Sequence, residues 1–168
     1  MATTTTKSTT KKVERTPLKK IPDATALLRA DHKEVDTLFK EYEATKSVAK
    51  KKALVAQICT ALTVHAQIEE EIFYPAVKLA LKDKELIPEA SVEHATLKSL
   101  IAQIEGVEPD GEMYDAKVKV LSEYVKHHVK EEQNEIFPKA KEATKLDLVD
   151  LGIKLQDRKE ELLAELAS

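Results

Sequence analysis

Four histidines and two glutamates fall in one pattern, written twice along the chain. The first copy is His32, then His65, with Glu69 four residues later. The second is His94, then His128, with Glu132 four residues later. The offsets nearly repeat, 62 residues from His32 to His94 and 63 from His65 to His128. A proline follows each paired histidine at the same distance, Pro75 and Pro138. Imidazole nitrogens and carboxylate oxygens are ligands for hard or borderline metal ions. On a helix, residues i and i+4 point the same way, so each His-x-x-x-Glu aims two donors at one place.

The surrounding residues must place those donors. Asp23 is a candidate N-cap for a first helix running to about Ala44, with the apolar stripe Leu28, His32, Val35, Phe39, Tyr42. Ser47 can cap a second, with stripe Leu54, Ile58, Leu62, His65, Glu69, Ile72, Ala76. Pro75 should kink or tighten that helix without ending its pattern. A third begins near Pro88 and stops at Gly106, with stripe Ile87, Ala90, His94, Leu97, Ile101, Ile104. Asp110 can cap a fourth, with stripe Tyr114, Val118, Leu121, Val125, His128, Glu132, Ile136. A fifth, from about Asp147, carries Leu148, Leu151, Leu155, Leu162 and Leu166, and is expected to pack outside the main bundle. The stripes have core-facing spacing, and short connections between four such helices imply an antiparallel up-down bundle. The expected organisation is a flexible basic tail over 1–20, a four-helix bundle over 23–141, and an additional C-terminal helix over 145–168.

Every histidine of the pattern replaces an apolar residue in its own stripe, and so do Glu69 and Glu132. A lone histidine there is most often a hydrogen-bonded core residue. Four at matching positions, joined by two carboxylates, are harder to explain that way. An unpaired buried carboxylate costs several kcal/mol, and it is normally neutralised, paired or metal-bound. No lysine or arginine shares the inward positions. A metal centre satisfies all six groups together.

Coordination arithmetic favours two ions. Each would take two histidines and share both carboxylates as bridges. With one bridging oxide or hydroxide, each ion then has about one open position. Nitrogen and oxygen ligation without sulfur suits iron or manganese, with zinc a possible substitute that usually takes four ligands. His127 lies about 100° around the helix from His128 and forms a second His-x-x-x-Glu with Glu131. His128 and Glu132 are preferred because they continue the Val118, Leu121, Val125 stripe. Glu70 borders the site as an added ligand, a proton carrier or a solvated residue. Tyr42, Tyr74, Tyr114 and Tyr124 read as core or edge packing.

The bulk numbers close off other classes. The 168 residues suit one domain, and three glycines with no tryptophan favour helices. A single cysteine, Cys59, rules out a disulfide framework and reads as a small core residue. No apolar run has membrane-spanning length, and the start lacks a secretory signal. Soluble cytoplasm is the default expectation. Residues 1–20 carry +5, so the rest carries −8 of the overall −3. Beyond weak tail contacts, no nucleic-acid binding is expected. A nucleophile signature, HExxH and the Glu-x-x-His of ferritin-like bundles are all missing.

The segments DHKEVDTLF, VHAQIEEEIFYP, EHATLKSLI and HHVKEEQNEIFP resemble the hemerythrin-like family, specifically its HHE cation-binding domains. The resemblance covers about residues 23–141. It implies an up-down bundle around a non-haem di-iron centre, with His32, His65, Glu69, His94, His128 and Glu132 as ligands and the glutamates bridging. Oxygen-carrying members have a fifth histidine ligand where this chain has Lys98, which leaves the second iron more open. The expected partner is a small diatomic ligand or peroxide, for a monomer or homodimer. Two functions share this first shell: binding, sensing or handling of O2, NO, peroxide or iron, and enzymatic decomposition of peroxide or NO. A third reading is a structural protein whose tail meets an acidic partner.

Overall fold

The computed structural model describes residues 22–168, and the expected tail lies outside them. Among the described residues the chain is all helical, in five rods with no strand. Rod one is α1 (Ala24–Ala44). Rod two is α2 (Val48–Ile68), a π-turn over Glu69–Phe73, and α3 (Tyr74–Leu81). Rod three is α4 (Leu86–Ile104). Rod four is α5 (Glu112–Glu131), a second π-turn over Glu132–Ile136, and α6 (Phe137–Glu142). Rod five is α7 (Leu148–Leu166).

Local chemistry sets the ends. The Asp23 carboxylate accepts from the Ala26 N–H, the Ser47 hydroxyl from Lys50, and the Asp147 carboxylate from Val149 and Asp150. Each satisfies donors that have no partner inside a helix. Gly106 has φ +69°, which lets the chain leave α4. Helix α4 starts near Pro88 as expected, with the proline in its first turn, whereas the cap of α5 differs. Asp83 accepts from Leu86 and Ile87, so α4 begins ahead of Pro88. Gly111 is the cap residue of α5, while the Asp110 carboxylate accepts from Tyr114 one turn in.

The prolines do not tighten their rods; the turns before them widen. Proline lacks the N–H that would reach back four residues, and its ring crowds that carbonyl. Here the Tyr74 N–H donates to the Glu69 carbonyl, and the Phe137 N–H to the Glu132 carbonyl, each five residues back. A π-turn of this kind absorbs the proline and often marks a functional position. Both turns begin on the glutamate of a His-x-x-x-Glu pair.

The predicted stripes face inward except past the first π-turn, where the wider turn buries Phe73 and Val77 and leaves the expected Ile72 and Ala76 only partly buried; the core they form is split. One apolar cluster gathers Leu28, Ile68, Phe73, Val77, Phe137 and Leu155. The other gathers Val35, Phe39, Ile58, Leu62, Ile101 and Leu121. His32, His65, Glu69, His94, His128 and Glu132 are all buried, at the level between them. Helix α7 lays Leu151 and Leu155 into the first cluster. Leu166, expected in that stripe, is exposed because it falls in the last turn of α7.

Candidate metal centre

His32 comes from α1, His65 from α2, His94 from α4 and His128 from α5. The rings meet in pairs. Nε2 of His32 lies 3.1 Å from Nε2 of His65, and Nε2 of His94 lies 3.1 Å from Nε2 of His128. The glutamates span the pairs. Glu69 places Oε1 3.1 Å from Nε2 of His65 and Oε2 3.2 Å from Nε2 of His94. Glu132 places Oε1 3.1 Å from Nε2 of His32 and Oε2 3.7 Å from Nε2 of His128. Both carboxylates are fully buried. Two donor sets result: His32, His65, Glu69 and Glu132, and beside them Glu69, His94 and His128.

The outer ring nitrogens are also held. Asp31 contacts Nδ1 of His65 at 3.2 Å, Glu70 contacts Nδ1 of His94 at 3.0 Å, and Glu93 contacts Nδ1 of His128 at 2.5 Å. The Gln133 amide meets Nδ1 of His32 at 2.9 Å. A carboxylate accepts, so Nδ1 of those three rings carries a proton, and whenever the ring is neutral Nε2 presents its lone pair. Facing lone pairs repel. Glu69 Oε1 and Glu132 Oε1 are buried without a hydrogen-bond partner. An uncompensated cluster of acceptors like this is what a cation fits. The spacing agrees, because donors about 2.1 Å from one ion and at right angles to each other lie about 3.0 Å apart.

Electrostatics point the same way. Burial pushes the His65 imidazolium toward losing its proton, but Glu69, Asp31 and Glu132 outweigh it and hold His65 well above its usual range. Burial opposes ionisation of Glu69, yet His65 and His94 hold it well below the usual carboxylate range. His128 is raised too: Glu93, Glu132 and Glu69 overcome burial. In metal-free protein, protons on His65 and His128 offset part of the carboxylate charge.

Each expected site residue is thus in the cluster. His127 is not; its side chain is exposed, with Nε2 3.3 Å from Glu131, so the register ambiguity resolves to His128 and Glu132. Glu70 stands outside the donor sets, between His94 and the Lys98 ammonium at 2.6 Å. Tyr74 was misread as packing. Its hydroxyl donates to Glu132 Oε2 at 2.7 Å and lies 3.2 Å from both Glu69 Oε2 and Nε2 of His94. Burial and then the charges of Glu69 and Glu132 raise it well above the usual phenol. The repeat held a signal: 63 residues on, the equivalent position is Phe137, whose ring stacks 5.9 Å from His32.

Away from Glu69 and Glu132, a small chamber of about 20 Å³ lies over the four histidines and touches Asp31. Val35, Leu62, Ala66, Leu97, Val125 and Val129 wall it. Its volume holds about one water-sized molecule, and its lining offers water few polar partners.

Residues 23–140 match the hemerythrin HHE cation binding domain. The chain belongs to that family. A hemerythrin HHE cation binding domain-containing protein from Mycobacterium kansasii has a similar fold: TM-score 0.71, 21% identity, 86% of this chain and 89% of the other covered. A curated relative, a DNA nickase from Nostoc sp. (strain PCC 7120), is 31% identical over 111 residues, or 66% of this chain. The HHE chain spans 31% of that relative's length.

Proposed function

We propose that this HHE domain holds two non-haem metal ions, most naturally iron, and uses them to take up a small molecule such as O2, NO or peroxide in the apolar chamber. One observation carries the reading: four imidazole nitrogens and two orphaned carboxylate oxygens converge in a buried layer containing no lysine or arginine. His32 and His65 would hold one ion, His94 and His128 the other, with Glu69 and Glu132 shared. The all-nitrogen-and-oxygen donor set supports iron or manganese over softer ions. When bound, iron supplies reversible one-electron chemistry and an attachment point for a small ligand. The protein supplies the rest. Asp31, Glu70 and Glu93 fix the rings and raise their basicity. The valine and leucine walls keep water from the chamber. Tyr74 brings a phenolic oxygen to the His94–His128 side, where Lys98 stands too far out to act as a donor.

Tyr74 also favours a second reading, turnover of peroxide or NO. Its hydroxyl holds a proton 2.7 Å from Glu132 and 3.2 Å from Nε2 of His94, inside the donor layer. The two readings separate by assay. Reduced, iron-loaded protein mixed with O2 gives a visible band that returns to baseline under vacuum if the domain binds reversibly. Sustained consumption of H2O2 or NO identifies turnover. Bleaching with loss of iron counts against both.

A further inference from the structure

The grooves around the chamber are not alike. Between α1 and α5 runs one of about 400 Å³, and its wall includes His32, Val125 and Val129. These three also line the chamber. Little more than the Val125 and Val129 side chains therefore divides the groove from the histidine layer, and Val129 is only half-buried. Four cations rim the same groove: Arg29, Lys33, Lys126 and Lys130. None of the four makes an ion pair among the described residues, and the one acid in the lining, Asp36, is paired with Lys40 at 2.6 Å. In a chain of net charge −3 this concentration is local.

The other approaches differ. A cleft between α4 and α5 also reaches His128 and Glu132, but Glu89, Glu93, Glu131 and Glu135 line it. A groove of about 450 Å³ beside α1, α2 and α7 meets the chamber only at Asp31 and Val35. There Lys159 pins Asp31 at 2.6 Å, and Val35 is 3% exposed.

We propose that the α1–α5 groove is the access route to the chamber, and that its cations select small inorganic anions as the molecules delivered to the His32 side. This rests on the metal reading above and adds small anions to the neutral molecules named for that site. Charges around a low-dielectric cleft raise the local concentration of the opposite charge and speed its arrival.

Stopped-flow mixing of the iron-loaded, oxidised full chain with azide tests this, read by the charge-transfer band. In Lys126→Glu/Lys130→Glu the azide on-rate should fall about tenfold at low salt, and its decline with added salt should vanish or reverse. The on-rate of neutral NO to the reduced form should change far less. Val129→Trp should slow both probes, whereas Ala61→Trp, in the α1–α2 groove, should slow neither. Iron content and helicity are checked in each variant. An azide rate indifferent to the charge reversal, or slowed by Ala61→Trp and not by Val129→Trp, overturns the route. A wild-type chain that takes up no iron overturns the metal reading itself, and the route with it.

Discussion

At the scale of single residues, ligands, supports and bystanders should respond differently. Glu69→Ala or Glu132→Ala removes a donor shared by both sets, so each should lose both ions, seen as metal content falling toward zero. His127→Ala should keep full metal content. Glu93→Gln leaves His128 in place but weakens the acceptor on its Nδ1, and metal affinity should drop about 10–100-fold in a chelator competition. Tyr74→Phe should retain metal yet shift the visible spectrum, because a phenolic oxygen leaves the His94–His128 side. An unchanged spectrum would remove Tyr74 from the donor layer. Of this site, the six buried donors were legible in the sequence because each interrupts an apolar stripe. Tyr74 was not, because it adds a hydroxyl to a position that packing alone would explain. Its alignment with Glu69 depends on a π-turn that a 3.6-residue period does not contain.

Among elements, the π-turns and α7 carry the argument. The prolines were legible as breaks in the backbone ladder, but not the manner of repair. A proline ring can be met by a tighter turn or a wider one, and only the Tyr74 and Phe137 N–H bonds reaching five residues back show that widening won here. Helix α7 reads from sequence as a leucine stripe, while its grip comes from contacts that no stripe reveals. Lys159 reaches Asp31 at 2.6 Å, and Arg158 reaches Glu71 at 2.7 Å. Gly152 packs so closely on the start of α1 that a Cβ would stand 2.4 Å from the Pro22 carbonyl oxygen. Gly152→Ala must therefore push α7 outward. Such overpacking costs about 1–3 kcal/mol, which a thermal melt should report as a lower midpoint. If the midpoint rises, helix propensity has won and the contact is softer than its geometry implies.

For the whole molecule, a polar layer divides the apolar interior, and charge balance across that layer governs its response to pH. In metal-free protein the raised His65 contributes stability at low pH that is lost as pH rises through its elevated range. The depressed Glu69 contributes stability above the usual carboxylate range that is lost on acidification. Ions must displace the imidazole protons, so apparent metal affinity should rise with pH, and loading should release protons into a weakly buffered solution. Loading without proton release would mean that those rings were already neutral. Among the described residues no helix is long and apolar enough to cross a membrane.

The most direct measurement is the metal content of freshly purified protein, taken with its optical spectrum under air and then under reductant. Paired donor sets predict about two ions per chain, with iron bands that change on reduction. A chain that is fully helical, thermally stable and free of metal even after anaerobic incubation with ferrous iron would contradict the account.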